Sequence, residues 1–259
     1  MNKTLLSIAV LALITGCSGD KDHDNKGAHK DDGHSHAVHW SYEGEGSPEK
    51  WGTLKPDYAT CATGKSQSPI DIKGAQSGGL MPIEFHYQAA TNPEVVNNGH
   101  TIQVNYPTGS YAVMGGKKYD LLQFHFHSPS EHTISGAHAD MVAHLVHKAA
   151  DGQLGVVGVL FNKSGENSVL APIWSSMPSA EGKATVMASI DVNQLLPAER
   201  SYYNYSGSLT TPPCSENVNW NVMKTAVKSS PAQIAAFNSL FSKSIRPVQP
   251  LNSRTISQL

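Results

Sequence analysis

From His39 onward, short runs of alternating apolar and polar residues are separated by turn signals, and few stretches hold a helical period. Residues 101–106 alternate up to Pro107-Thr108-Gly109, and residues 121–127 run to Ser128-Pro129. Residues 155–161 are apolar almost without a break, the pattern of a central strand covered on both faces. Helical pattern is confined to residues 169–174 and 231–243, the second with Ser230 placed to cap and Pro231 in the first turn. No internal repeat is present. The pattern predicts a mostly β single domain with a few short helices, built on a large, mainly antiparallel central sheet.

The 259 residues carry 19 basic and 21 acidic side chains, a formal net charge of −2, so the basic footprint of a nucleic-acid binder is missing. At the N-terminus Lys3 precedes an apolar run over residues 5–14, far shorter than the roughly 20 residues that span a bilayer. The run ends in Ile14-Thr15-Gly16-Cys17, which resembles a bacterial lipobox; an ordinary signal with a chance cysteine is the competing reading. Residues 1–16 are therefore expected to be a lipoprotein-type signal peptide, and Cys17 the lipid attachment site and the membrane contact. Residues 17–38 alternate charge, glycine and histidine with no apolar periodicity, as a flexible tether does. His23, His29, His34 and His36 there can capture metal weakly. The globular domain is expected over residues 39–259, exported and held in the periplasm or at the cell surface, as a monomer or homodimer. Setting Cys17 aside leaves Cys61 and Cys214, an even pair whose natural use in an exported chain is a disulfide, with two free buried thiols as the alternative.

Side chains alternate across a strand, so His125 and His127 in residues 121–127 share a face while Phe124 and Phe126 share the other. Residues 141–147 read as a second strand. The turn material at Ser135-Gly136-Ala137 allows it to lie antiparallel beside the first, where His144 can complete a three-histidine set. Three neutral imidazoles are a catalytic Zn²⁺ arrangement that leaves the fourth position for water. By parity His147 faces away from His144 and reads as a core residue.

At this point the sequence resembles the alpha-class carbonic anhydrases of the bacterial exported type. Residues 123–127, Ser130-Glu131-His132 and residues 144–147 are similar to the zinc segments of that family, in order. Residues 208–214 are similar to its catalytic threonine loop and Asn97-Asn98-Gly99-His100 to its proton-shuttle turn. Trp40, Tyr42, residues 67–72 and residues 246–251 extend the likeness from about His39 to the C-terminus. The resemblance implies reversible hydration of carbon dioxide to bicarbonate and a proton, by attack of a zinc hydroxide with histidine proton shuttling. His125, His127 and His144 are then the ligands, with Thr210 orienting the hydroxide and donating its proton to Glu131. His100 is the shuttle, and Tyr42, Asn98 and Gln103 hold the water chain. Val146, Val156, Leu209, Thr211 and Trp220 form the substrate site. The resemblance also pairs Cys61 with Cys214, bracing the threonine loop.

Two other readings compete. His125, His127 and Glu131 also resemble the first metal motif of a cupin, but the glycine expected six residues before His125 is Tyr119, and no second motif follows His144. A catalytically silent, zinc-holding lipoprotein is the other, which loss of a ligand or of Thr210 would favour; all are present. One departure from the family stands out. Two residues before the third ligand the family usually carries a glutamate, which accepts the proton on the ligand's other nitrogen, and here that position is Val142. A substitute acceptor for His144 is the expectation, because metal-bound imidazoles nearly always donate their second N–H.

Overall fold

The structure, a computed structural model, describes residues 38–259. The segment expected to be a signal, Cys17 and the histidines of the expected tether lie outside the described residues. Ten strands make the path that carries the site: β1 (Gln76–Ser77), β2 (Glu94–Asn97), β3 (Ile102–Asn105), β4 (Lys117–His127), β5 (Met141–Ala149), β6 (Leu154–Lys163), β7 (Gly182–Thr185), β8 (Tyr202–Ser208), β9 (Glu216–Met223) and β10 (Ser257–Gln258). Their order across the sheet is β7-β2-β3-β4-β5-β6-β9-β8-β10-β1. Neighbours are antiparallel except at β6–β9 and β10–β1, which are parallel. The sheet is thus mainly antiparallel but mixed.

Strand β6 shows why the long strands sit at the centre. Val157, Val159 and Phe161 enter the larger apolar cluster on one face, with Phe124, Phe126 and Leu145. Val156 and Leu160 enter a second cluster on the other face, with Val142, Tyr205, Val218 and Trp220. An apolar run with no polar alternation is what burial on both faces requires.

Helices are short: α1 (Trp51–Leu54), α2 (Thr60–Thr63), α3 (Leu170–Ser176) and α4 (Pro231–Asn238). Ser230 caps α4 in a reciprocal box with Gln233, and Pro231 occupies its first turn. The expected extension of α4 to Lys243 is corrected. The amides of Leu240 and Phe241 both fold back onto the Phe237 carbonyl, and Lys243 has φ +81°, which no right-handed helix accommodates. The two four-residue helices are too short to leave a periodic trace in sequence.

His147 behaves as a core residue. It is fully buried, its Nδ1–H donates to the Gly155 carbonyl at 3.3 Å, and the Tyr87 hydroxyl donates to Nε2 at 2.7 Å. Burial lowers its pKa to about 4. The unfolded chain takes up this proton near pH 6.5, so between the two values it binds more protons than the folded one, and stability falls as pH falls. Unfolding free energies from denaturant titrations are expected to show wild type losing up to about 1.4 kcal/mol per pH unit more than His147→Gln between about pH 6 and pH 4.5, since the glutamine amide does not titrate. Equal slopes would remove this role.

Candidate metal centre

The two central strands build the site. In the β4–β5 register His144 lies opposite His125, and Val142 opposite His127, so the third imidazole is brought beside the first two. Ligand atoms of His125, His127 and His144 all lie within 4.8 Å of one another. A register shift shapes this presentation: Val146 pairs with Gln123 but His147 pairs with Leu121, leaving Leu122 as a bulge with its side chain exposed. The shift lets Tyr119 and Leu121 join Phe124 and Phe126 in one core while both histidines keep the opposite face.

Hydrogen bonds decide which ring nitrogens are free. Gln123 Oε1 lies 2.9 Å from His125 Nδ1, and the Ser244 carbonyl lies 2.5 Å from His127 Nδ1, so each Nδ1–H donates and each Nε2 is left for a ligand bond. His144 turns its Nδ1 inward: Glu131 Oε2 is 3.8 Å from it and 3.6 Å from His127 Nε2. Burial, reinforced by the neighbouring imidazoles, pushes the pKa of His125 and of His144 well below the usual histidine range. Neutral rings are the state a metal needs, and two Nε2 and one Nδ1 aimed at a common point fit Zn²⁺.

Glu131 is fully buried, and its Oε1 accepts the backbone N–H of Arg246 at 2.9 Å. Its Oε2 has no hydrogen-bond partner, so the Thr210 hydroxyl, though buried, does not donate to it here. Arg246 ties the surroundings together. Its guanidinium donates to Gln67 Oε1, the Ser68 carbonyl and the Cys61 carbonyl, each at 2.8 Å, and the cost of burying it lowers its pKa to about 10. Cys61 is disulfide-bonded to Cys214, and Gln67 Nε2 donates to the Cys214 carbonyl at 3.1 Å. The loop carrying Thr210 and Thr211 is therefore fastened at its far end to the segment that Arg246 holds.

A cleft of about 180 Å³ opens onto the histidines. Tyr42, Asn98, His100, Gln103, Val146, Leu209 and Thr211 line it beside His125 and His127. Val156 and Trp220 pack behind, in the apolar cluster that supports Val146 and Leu209, and the indole of Trp220 donates to the Ser208 carbonyl at 2.9 Å. His100 is stacked on Trp40 with centroids 3.6 Å apart, and His39 stacks on His100 at 5.3 Å. Partial burial, with His39 nearby, lowers the His100 pKa. Asn98 Oδ1 accepts the backbone N–H groups of His100 and Thr101, which fixes the turn around Gly99 at φ +81°. Gln103 Nε2 is committed to Asn105 Oδ1 at 2.7 Å.

Sequence comparison decides what this centre belongs to. A family model described as eukaryotic-type carbonic anhydrase matches residues 46–259. A carbonic anhydrase of Nostoc sp. is 46% identical over 226 residues, covering 85% of this chain and 85% of its own length. The chain belongs to the alpha carbonic anhydrase family. A Klebsiella pneumoniae carbonic anhydrase is likewise 46% identical, covering 85% of this chain and 91% of its own. The solved alpha carbonic anhydrase of Thermovibrio ammonificans, in complex with the inhibitor sulfanilamide, superposes with a TM-score of 0.82 at 47% identity, covering 85% of this chain and 98% of that one. With the family shown, the cupin reading falls. This chain is an enzyme of the carbonic anhydrase family whose three clustered histidines can hold a metal.

Three partners escaped sequence reasoning as site residues. Gln123 was findable, since it lies two positions before His125 on the same strand. Ser244 and Arg246 act on His127 and Glu131 through backbone atoms, which any side chain supplies, and so leave no signal in composition or spacing. The expected substitute acceptor for His144 is not a protein group: its Nε2 is buried without a partner among the described residues. The neighbour that could have accepted is Val142, which has no polar atom.

Proposed function

We propose that the chain catalyses the reversible hydration of carbon dioxide to bicarbonate and a proton, with Zn²⁺ held by His125 Nε2, His127 Nε2 and His144 Nδ1. The observation that carries this is the convergence of three imidazoles on one point, two of them with their other nitrogen already fixed to an acceptor. Zinc in such a site would lower the pKa of its water to about 7, making a nucleophile available at neutral pH. Val146 and Leu209 offer the apolar wall that an apolar substrate needs beside the metal, backed by Val156 and Trp220. Thr210 would orient the nucleophile once its hydroxyl turns to donate to Glu131, whose carboxylate the Arg246 amide anchors from the other side. Thr211 borders the same space. The test is zinc content and carbon dioxide hydration on the purified full chain, with a sulfonamide titration. A zinc-loaded protein without hydration activity would leave the silent zinc-holding reading in its place.

Proton export falls to His100 at the mouth of the cleft, with Tyr42, Asn98 and Gln103 bordering the water path. His100→Ala is expected to slow turnover in weak buffer and to recover when imidazole is added, because the defect lies in proton transfer. Turnover that ignores buffer would assign the shuttle elsewhere.

Export and lipid anchoring at Cys17 are proposed on the sequence, and the Cys61–Cys214 disulfide suits an oxidising compartment. Among the described residues no helix is long and apolar enough to cross a membrane. Cys17→Ser is expected to release the protein from membranes with hydration activity unchanged; continued membrane association would count against lipidation.

A further inference from the structure

Two buried ring nitrogens beside the metal centre stand without partners. His144 Nε2 and His132 Nδ1 each lack a hydrogen-bond partner, although both rings are buried. The rings stand edge to face with centroids 6.2 Å apart, and the two nitrogens do not bond each other. Both rings lean on Trp220, at 4.9 Å and 4.6 Å, but its indole N–H is already given to the Ser208 carbonyl. Val142 lies two residues before His144, on the same face of β5, in the cluster that holds Tyr205 and Trp220. Among the described residues no side chain accepts from either nitrogen.

The far nitrogen of His132 is well placed. Tyr205 Oη lies 2.6 Å from His132 Nε2 and 2.7 Å from Ser68 Oγ, and Ser68 Oγ accepts the Ser208 backbone N–H at 3.0 Å. This chain of hydroxyls begins on a strand of the sheet and ends at a nitrogen with nothing to meet. Buried polar groups left unpaired are costly, and internal water is the usual remedy where two or more such groups converge.

We infer that one buried water molecule joins His144 Nε2 to His132 Nδ1, so that His132, Tyr205 and Ser68 position the third metal ligand through a neutral relay. Water suits the place better than an anion. His144 must donate once its Nδ1 is bound to metal, whereas His132 Nδ1 can be donor or acceptor according to how the Tyr205 proton is shared, and water answers either state. A carboxylate already lies 3.8 Å from the other nitrogen of His144, which disfavours a second negative charge. His132, Tyr205 and Ser68 are positioning residues in this scheme, because they act through His144.

The inference rests on the three-histidine zinc site, so zinc content of the full chain is measured first. Failure to take up zinc strikes that site reading; the remaining outcomes are read only on zinc-loaded protein and strike the bridge alone. In ¹⁵N-histidine-labelled protein the His144 ring N–H is expected to show a nuclear magnetic resonance cross-peak to a long-lived water, and absence of that cross-peak overturns the proposal. A resonance that shifts when chloride replaces a non-coordinating anion would assign the place to an anion and overturn it equally. Tyr205→Phe is expected to move this ring resonance and to hasten zinc release to a chelator several-fold, and no change in either refutes the relay. Val142→Glu, which puts a carboxylate where the water stands, is expected to slow zinc release by less than about tenfold, since one acceptor replaces another. Slowing of about tenfold or more would show that His144 Nε2 was bare. Should Val142→Glu fail to fold, the wild-type cross-peak and Tyr205→Phe decide.

Discussion

Alanine at His125, His127 or His144 is expected to strip most zinc from the protein and abolish measurable hydration, each variant alone. Removing only the hydrogen-bond partner of a metal ligand typically costs 10- to 100-fold in affinity or activity, and removing the ligand itself takes away the bond that the partner merely orients. A three-ligand site also has no spare donor. Glu131 Oε2 is the nearest candidate, at 3.6 Å from His127 Nε2, but its carboxylate is held from the other side by the Arg246 amide. Zinc content by metal analysis and hydration by stopped flow check this together, and full activity in any one variant would sink the assignment. The folded state should survive, because the three side chains face the site while the Phe124 and Phe126 core lies on the other face of β4.

Thr210→Ala separates orientation from binding. Zinc should stay, because no ligand is touched, while turnover falls on the order of 100-fold, the scale expected when a reacting group is misplaced by about an ångström. In the structure Glu131 presents an Oε2 without a partner, so the carboxylate is fixed and ready to accept before the threonine hydroxyl is turned toward it. Thr210→Ser, which keeps the hydroxyl, should retain most of the rate. Wild-type turnover in the alanine variant would refute the role, and loss of zinc in it would mean that the loop supports the ligands.

What could be read from the sequence is what side-chain alternation controls. His125 and His127 share a face because they are two apart on a strand, and His144 meets them because β5 pairs with β4 in the register that the intervening turn permits. Cysteine counting, with Cys17 set aside, yields the Cys61–Cys214 bond. What could not be read depends on irregularity or on backbone. The bulge at Leu122 breaks the parity that a uniform strand would impose, and nothing in the apolar pattern marks it. The parallel pairing of β6 with β9 joins strands separated by more than fifty residues. The end of α4 is set by the left-handed conformation at Lys243, a residue type that gives no warning of it.

The ties from Ser244 and Arg246 also fix an order of events in time. The acceptor for His127 stands 117 positions after it, and the amide that anchors Glu131 stands 115 positions after that residue. Both belong to the last sixteen residues of a 259-residue chain. While the polypeptide is being made, or is passing through a membrane from its N-terminus, the histidine strands emerge long before the groups that orient them. The cluster of histidines is therefore complete in its hydrogen bonding only after residues 244–246 have emerged, well after the strands that carry it.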